Sequence, residues 1–573
     1  ITNVDGDFTL LNVPSSAKTL QITYIGMQAQ DVAIKPNVKV IMKSDTEILD
    51  EVMVIAYGTT KKESFTGSAE VIKSEKLKER PVANVTKALD GMVAGVQTTS
   101  GSGQPGSGSS VVVRGYGSIN SSQSPLYVVD GVPYDGNISA INPNDIETMT
   151  VLKDASAGAL YGSRGANGVI MITTKKGMVD KSKVTLDARW GVNTRGVPEY
   201  DIMKDQREYV LTAWNTLKNQ STGAEASEEL IGSIGYNPFI GVANNAMVSA
   251  DGVVSSAALR HNDDWADAAL HNGMRQEYNL SYNTKTEKSD TYASVGYLND
   301  DGYMIKTDFE RYSGRLNYNV YPTKWFKTGL NLGVTRTVSN YSTSDSGNSS
   351  SYSNLTRFIR TMAPIYPVHK HDLETGAYLD ANGKATTDPG EYIYDYEGTR
   401  LSNNGRDAIA ETEFNQRELV RVNQTGHTYL TLTPVEGLNL TANYSINNID
   451  YRRKVYENPY VGDGTAGPGR LNQMSTRTLT QTFNQLITYS KSIGNHNFDV
   501  LLGHENYSYK YEYLYGMKTQ ETVSGMYEFG NFVNISSLSS YTNTYKKEGY
   551  FGRINYDYKE TYMLTVVMRA DGS

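Results

Sequence analysis

Residues Leu438–Ile446 read LNLTANYSI, and this stretch decides the fold. Its even-numbered residues are Leu, Leu, Ala, Tyr and Ile, whereas its odd-numbered residues are Asn, Thr, Asn and Ser. Successive side chains of a strand point to opposite faces, so one face would be apolar and the other polar. A segment of about nine to eleven such residues is typical of a strand that crosses an outer membrane, with lipid on one side and water on the other.

The same alternation recurs along the C-terminal two-thirds of the chain. It is clear at Tyr312–Val320, Phe326–Val334 and Tyr562–Arg569, and about eleven such segments lie between Val184 and Arg569. Tight links alternate with long ones, as periplasmic turns and extracellular loops do in outer-membrane barrels. The long links are predicted near 196–275, 339–417, 447–476 and 511–546. The alternative is a soluble array of β-sandwiches, which also alternates but would leave the apolar stripes in water.

Composition removes several other classes. The longest apolar run is Val52–Tyr57, far below the roughly 18–20 residues of a membrane helix. The chain has no Cys, which excludes disulfides and thiolate metal sites, and its net charge of -8 without a basic block argues against nucleic acid. No catalytic motif is present, so no enzyme, cofactor or metal site is predicted. His369 and His371 are interpreted as part of a solvated polar loop rather than as metal ligands.

The first half of the chain differs from the second. Residues 1–44 contain short β-rich runs between turn residues, typical of an incomplete β-sandwich. Residues 58–177 read as mixed α/β, with a helix predicted over Val82–Val93 and another from Asp154 to Tyr161. Strands are predicted at Val96–Thr98, Ser110–Arg114, Leu126–Val129, Ile146–Leu152 and Val169–Thr174.

Five motifs in this first half carry a family resemblance. They are LDEVMVIAYGT from Leu49, LDGMVAGV from Leu89, VVVRGYGS from Val111, PLYVVDGVPYDG from Pro125, and NDIETMTVLKDASAGALYGSRGANGVIMITTKKG from Asn144. In this order and spacing the series resembles TonB-dependent outer-membrane transporters, and more narrowly their SusC/RagA-like branch in Bacteroidetes-type bacteria.

The resemblance implies a domain plan. Residues 1–44 would be part of a carboxypeptidase-regulatory-like β-sandwich, residues 45–58 a TonB-box linker, residues 59–178 an α/β plug, and residues 179–573 a transmembrane antiparallel β-barrel around the plug. The family has about twenty-two strands. The chain is therefore expected to hold about half of the barrel and to be truncated at both ends.

The resemblance also implies a function and partners. It implies energy-coupled import of large nutrients across the outer membrane, driven by TonB and its inner-membrane complex and assisted by a SusD-like surface lipoprotein. Oligosaccharides are the favoured ligand and oligopeptides the alternative. A surface β-rich binding protein or adhesin is the alternative from a different class, and it would need the apolar stripes to pack against a second sheet.

Three groups of site residues follow from the motifs. An apolar extended segment suits strand addition to a partner's sheet, and charges on a plug inside a polar barrel could form ion pairs that lock it. The TonB box is Leu49, Asp50, Glu51, Val52, Met53, Val54, Ile55, Ala56, Tyr57 and Gly58. The lock candidates are Arg114, Asp130, Lys153, Asp154 and Arg164, with Arg315, Lys327 and Arg553 as partners in the barrel. The ligand-facing candidates are Gln104, Tyr116, Ser118, Asn120 and Gln123.

Overall fold

The computed structural model divides into two compact units, Ile1–Thr66 and Gly67–Ser573. It describes residues 8–10, 13, 17–24, 27–36, 38–40, 52–55, 58–61, 65–80, 82–136, 138–154, 158–178, 182–198, 200–341, 353–559 and 561–573.

The N-terminal unit contains two antiparallel strand pairs. Strands β1 (Thr19–Tyr24) and β2 (Met27–Ala33) form one pair. Strands β3 (Val52–Ile55) and β4 (Gly58–Lys61) form the other, with Val54 opposite Thr59. The β-sandwich of residues 1–44 stays a prediction, because part of it lies outside the described residues.

The second unit begins with residues 67–178 of the predicted plug, whose first residues, 59–66, fall in the N-terminal unit. Five of its strands form a sheet in the order β5-β10-β11-β8-β9, and β6 and β7 form a separate antiparallel pair. The predicted strands are confirmed, but the predicted helix over Val82–Val93 is wrong beyond a single turn. The turn ends at Ala88, and the positive φ of Gly91 prevents its continuation toward Val93. The elements are β5 Ala69–Lys73, α1 Ser74–Lys78, α2 Val85–Ala88, β6 Val96–Thr99, β7 Ser110–Val113, β8 Leu126–Val129, β9 Val132–Pro133, β10 Ile146–Leu152 and β11 Val169–Thr174, with 3₁₀ turns at Ile138–Ala140, Pro143–Asp145 and Ala159–Gly165.

The rest of the unit is built on one antiparallel sheet of eleven strands, each paired with the next in chain order. This confirms the predicted fold class of a large antiparallel sheet with an α/β plug. The strands are β12 Lys183–Asn193, β13 Gly273–Lys285, β14 Ser289–Asp301, β15 Asp308–Thr323, β16 Phe326–Asn340, β17 Gln416–Val435, β18 Leu438–Glu457, β19 Arg470–Ile493, β20 His496–Glu521, β21 Phe532–Tyr558 and β22 Tyr562–Gly572.

In this sheet the exposed side chains are largely apolar and the buried ones are largely polar, which is the reverse of the pattern in a soluble protein. Along β15, Leu316 and Tyr318 are 36% and 43% exposed, whereas the neighbouring Asn317 and Asn319 are 1% and 2% exposed. The same reversal holds in β18, where Ile446 is exposed and Ser445 is buried. We call the two sides the apolar face and the polar face. The buried asparagines lie on the polar face, which is the side that the plug contacts.

Two of the four predicted long links are wrong for most of their length. Strand continues through most of 447–476 and 511–546, because β18 to β21 are 20 to 27 residues long. The sequence pattern changes there: the apolar-face positions of β20 become polar at Asn506, Ser508, Lys510 and Glu512. These ends no longer need an apolar stripe if they lie beyond the lipid, yet their backbones remain paired in the sheet.

The other two long links fold together into a helical layer. It contains α3 Gln206–Lys218, α4 Gly223–Ile234 and α5 Trp265–Ala269 from the first link, with α6 Leu355–Thr361 and α7 Ala408–Phe414 from the second. Trp214, Phe239 and Phe358 are fully buried in its shared apolar core. Among the described residues, no helix of the chain is both long and apolar enough to span a membrane.

Candidate functional site: the interface between plug and sheet

Arg311 on β15 is the most deeply buried cation at this interface. The residue is 2% exposed, and its Nη1 donates to the carbonyl oxygens of Ala83 at 2.8 Å and Ser139 at 3.3 Å. Both carbonyls belong to the plug. A buried charge is tolerated only where it is hydrogen-bonded and balanced, so this side chain holds two separate plug segments at once.

Acidic residues on the neighbouring strands balance Arg311. Arg275 bridges Asp300 at 2.9 Å and Glu277 at 3.1 Å, which leaves two carboxylates against two guanidinium groups in this part of the sheet. Glu277 also accepts a hydrogen bond from Asn144 of the plug at 2.9 Å. The arrangement is a buried charge network shared by both parts.

A second cluster lies around Asp145 of the plug. Its carboxylate accepts hydrogen bonds from Tyr292 at 2.9 Å and Ser294 at 2.6 Å, both on β14. Arg315 on β15 lies 3.7 Å from Asp145 and 3.7 Å from Asp130. Two plug carboxylates therefore face one barrel-side guanidinium. A local turn positions Asp145, since Asn142 caps the 3₁₀ turn Pro143–Asp145.

A third cluster joins the last plug turn to the far strands. Glu505 on β20 pairs with Arg164 of the plug at 3.3 Å and with Arg569 on β22 at 2.8 Å. Arg569 also donates to the carbonyl of Leu160 in the plug at 2.5 Å. Gly162 has φ +61, a backbone conformation that residues with a Cβ rarely adopt, so glycine is favoured at this close approach to Asp571.

The chain is similar to known proteins along its whole length. A family model described as "TonB-dependent Receptor Plug Domain" matches residues 61–169. "TonB-dependent receptor P3" of Formosa agariphila is 31% identical over the whole chain, and "TonB-dependent receptor SusC" of Bacteroides thetaiotaomicron is 28% identical. The chain covers 51% and 53% of these two proteins, so it spans about half the length of the curated relatives it matches.

A solved structure supports the same assignment. The "RagAB peptide importer in the 'open-open' state" aligns with a TM-score of 0.72 and 26% identity, over 91% of this chain and 56% of that one. Along its whole length the chain is therefore similar to SusC-like and RagA-like TonB-dependent receptors, and residues 61–169 match their plug domain. The interface described above is therefore the surface along which the plug packs against the eleven-stranded sheet.

The predicted lock residues of this receptor lie in three kinds of place. Asp130 and Arg164 reach charged residues of the sheet. Lys153 lies 3.6 Å from Glu70 and donates to the carbonyl of Ala94, both within the plug. Asp154 is half-buried at the end of β10, and Arg114 is exposed with φ +57. A locking role for any of these residues stays a prediction.

Of the three predicted partners in the sheet, one contacts a plug lock candidate in the described structure. Arg315 lies beside Asp130, whereas Arg553 pairs with Asp499 of the sheet at 3.2 Å and Lys327 is exposed. Sequence reasoning missed Asp145, Arg311, Glu505 and Arg569. Only Asp145 had a local signal, the Asn-Pro-Asn-Asp turn at residues 142–145.

The ligand-facing candidates of the receptor divide into two loops. Gln104 donates to the carbonyl of Asn340 on the sheet at 2.7 Å, and it borders a polar cavity of about 240 Å³ with Lys87 and Tyr303. Tyr116 is 71% exposed. Ser118, Asn120 and Gln123 share an exposed loop that is hydrogen-bonded within itself, for example from the amide of Gly117 to Gln123 at 2.9 Å.

The predicted TonB box is only partly described. Val52–Ile55 forms β3 of the N-terminal hairpin, and Gly58 begins β4. Leu49, Asp50, Glu51, Ala56 and Tyr57 lie outside the described residues. Within the described part of the N-terminal unit, β3 pairs with β4 alone. The other edge of β3 is then a possible template for a further strand.

The interpretation of His369 and His371 as solvated is wrong. Both imidazoles lie near Asp263, at 3.9 Å and 3.3 Å, and the His371 side chain is 2% exposed. Asp263 also accepts from the backbone amides of Val368 and His369 and from Tyr378. The carboxylate therefore ties the first long link to the second. No group of three metal-ligating side chains is found in the part of the chain that the structure describes.

We expect acid to loosen this helical layer. Burial lowers the pKa of His261 and of His369. Each imidazole binds a proton less tightly in the folded protein than in the unfolded chain. The free energy of unfolding therefore falls as the pH drops below about 6.5. Burial opposes ionisation of Asp263, but bonds from His371, the His369 amide and Tyr378 hold its pKa well below the usual range, so its contribution is lost only at lower pH.

The measurement is thermal unfolding in detergent, followed by tryptophan fluorescence, since Trp214 and Trp265 lie in this layer. The transition should fall by several degrees between pH 7.5 and pH 5. The double variant His261→Gln, His369→Gln should show a smaller shift between the two pH values. A variant with the full wild-type shift would contradict the assignment to these imidazoles.

Proposed function

We propose that the receptor imports large nutrients, with oligosaccharides as the favoured class, across a bacterial outer membrane, with energy supplied by TonB. The observation that carries the proposal is the plug seated by buried charge networks on the polar face of a sheet whose opposite face is apolar. That polarity suits a wall with lipid outside and water inside. A seated plug blocks free diffusion, so passage requires its displacement.

The proposed partners follow from this need for displacement. The outer membrane holds no ATP, so the work would be mechanical and would come from TonB at the inner membrane. Strand β3 offers an edge to which an extended partner can add by main-chain hydrogen bonds. A SusD-like lipoprotein is proposed as the second partner, on the similarity to SusC and to the RagAB importer. No enzymatic activity is proposed.

Oligopeptides are the second candidate ligand. One relative bears the name SusC, whereas the aligned solved structure is described as a peptide importer. The outer-membrane location is part of the proposal for both ligands.

The test is a proline in the predicted TonB box. Val54→Pro removes a backbone donor from β3, so strand addition should fail. We expect binding of the purified C-terminal domain of the host's TonB to weaken at least about tenfold, and uptake by cells to stop.

The matched control is Val54→Thr, which keeps a β-branched side chain and the amide and should retain both activities. Uptake that persists in the Val54→Pro variant at normal surface abundance would refute TonB-driven import through this segment.

A further inference from the structure

A row of tyrosines extends along the polar face of β20, starting at the residue that contacts the plug. Tyr507, Tyr509, Tyr511, Tyr513 and Tyr515 occupy alternate positions and so share one face of the strand. The lowest of them identifies that face. Tyr507 donates to Asp135 of the plug at 2.9 Å, and Arg164 of the plug lies 4.5 Å from its ring.

The neighbouring strand extends the row sideways. Tyr545 and Tyr541 on β21 lie directly opposite Tyr509 and Tyr513. Their rings stack at 4.7 Å and 4.8 Å between centroids, with interplanar angles of 24° and 21°. The result is two columns of rings in contact across the strands, which we call the tyrosine ladder: the five tyrosines of β20 with Tyr541 and Tyr545.

The other neighbouring strand adds hydroxyl groups beside the ladder. On β19, Thr482, Thr480, Thr478 and Thr476 lie opposite the first four tyrosines of β20. The hydroxyl groups of Thr478 and Thr476 lie close to the hydroxyls of Tyr509 and Tyr511. Threonine hydroxyl groups thus lie beside the rings from Tyr507 to Tyr513.

The ladder touches the plug at Tyr507 and becomes more exposed beyond that residue. Tyr507, which contacts the plug, is 2% exposed, whereas Tyr509, Tyr511, Tyr513 and Tyr515 are half-buried. Rings of this size are usually buried when they serve only a core. A row that begins at the plug and becomes exposed away from it lies along a path toward the plug.

The ladder also carries little charge. From Tyr509 to Tyr515 its positions on β20 are all tyrosine, and the opposing positions on β19 are threonine or methionine. Two charged residues of this region, Lys510 and Glu512, lie on the other face and pair with each other at 2.7 Å. Lys547 on β21 shares the face of the ladder, with its Nζ 5.4 Å from the centre of the Tyr545 ring. From Tyr509 to Tyr515 the β20 and β19 positions of the row are rings and hydroxyls with one thioether, which matches a neutral, hydroxyl-rich chain better than a peptide with charged ends and side chains.

We propose that the tyrosine ladder binds neutral oligosaccharides lengthwise, by stacking of sugar rings on tyrosine and hydrogen bonds to the tyrosine and threonine hydroxyls. The proposal rests on the proposed import function and names the ligand surface for it. Repeated equivalent rungs would let a chain bind at several registers, so longer oligosaccharides should bind more tightly than short ones.

The experiment uses the full-length receptor purified in detergent. The probes are neutral linear oligosaccharides of about two, four and six sugars with α1,4, β1,4 and β1,3 linkages, and a charged hexapeptide for comparison. At least one linkage series should bind, with affinity rising with length. Tyr511→Ala combined with Tyr513→Ala should weaken binding about tenfold or more.

Two control variants make the result specific. The paired Tyr→Phe variant at 511 and 513 keeps the rings and should bind more tightly than the alanine pair. Leu514→Ala, on the other face of the same strand and 54% exposed, should bind as the unchanged receptor does. The TonB C-terminal domain should bind every variant equally, because the ladder lies far along the chain from β3.

The outcomes separate the two proposals. If no neutral oligosaccharide binds, if the peptide binds more tightly, or if the alanine pair binds normally, the ladder proposal is overturned while TonB binding can still support import. If the alanine pair loses oligosaccharide and keeps TonB, the ladder is the ligand surface. Loss of TonB binding through Val54→Pro with intact oligosaccharide binding would isolate a failure of energy coupling.

Discussion

Replacement of Glu505 by Leu should destabilise the seated plug by about 3–5 kcal/mol. The change leaves Arg164 and Arg569 buried near each other without the carboxylate that joins them; the guanidinium side chains are 17% and 7% exposed. Removing one member of a buried pair costs more than the pair contributes, because an uncompensated charge remains. The measurement is thermal unfolding of the full-length receptor in detergent, together with leakage of vancomycin into cells.

Arg164→Leu provides the internal check. In the double variant with Glu505→Leu, one unpaired cation is gone and Arg569 still has Asp571 at 2.8 Å. More than half of the lost stability should therefore return. Glu512→Leu on the same strand is the matched control, since Glu512 is on the other face and pairs only with Lys510. Equal shifts for Glu505→Leu and Glu512→Leu would refute a specific role for Glu505 at the plug.

Replacement of Arg311 by Met should have an effect of similar size, also about 3–5 kcal/mol. The carbonyl oxygens of Ala83 and Ser139 lose their donor, and the nearby carboxylates Glu277 and Asp300 lose one of two cations. The substitution weakens the packing of the plug against the sheet rather than the sheet itself, because both lost hydrogen bonds join the plug to the sheet.

The chain's lack of cysteine makes this second prediction easy to measure. A single Cys at Ala140, a buried plug position, reports plug release through maleimide labelling across a urea series. The Arg311→Met variant should become labelled at lower urea. The matched control is Arg336→Met on the adjacent strand, where the arginine is exposed on the opposite face, and its labelling curve should not move. Identical curves for both variants would contradict the prediction.

The strands of the sheet are predictable where apolar and polar residues alternate. Where this alternation stops, the strands are predicted as loops. Within the lipid, one face of each strand must be apolar, so LNLTANYSI and similar segments identify strands directly. In the proposed outer-membrane placement the strands leave the lipid before Asn506 and Ser508. The apolar-face positions there are polar, and for that reason the paired strand is predicted as loop. Local sequence also placed β10 and β11, whose residues are nearly all buried.

The plug's seat was much less predictable. Asp130 and Arg164 are predicted as lock residues because they are charged residues within the plug motifs. The same criterion predicts Arg114, which is exposed. The contact between Arg311 and Ala83 joins residues 228 positions apart, and no local pattern encodes such a pairing. The His369–Asp263 contact has the same origin, since two distant links meet there.

The length of β18 to β21 has a consequence for recognition. At about 3.3 Å per residue, the 27 residues of β21 reach roughly twice as far as the 13 residues of β13. Ligands that meet this side of the receptor encounter backbone already ordered by sheet hydrogen bonds, so little conformational entropy is lost on binding. Selectivity there would depend on a stiff, preformed surface, and it should be altered more readily by exchanging single side chains than by lengthening or shortening loops.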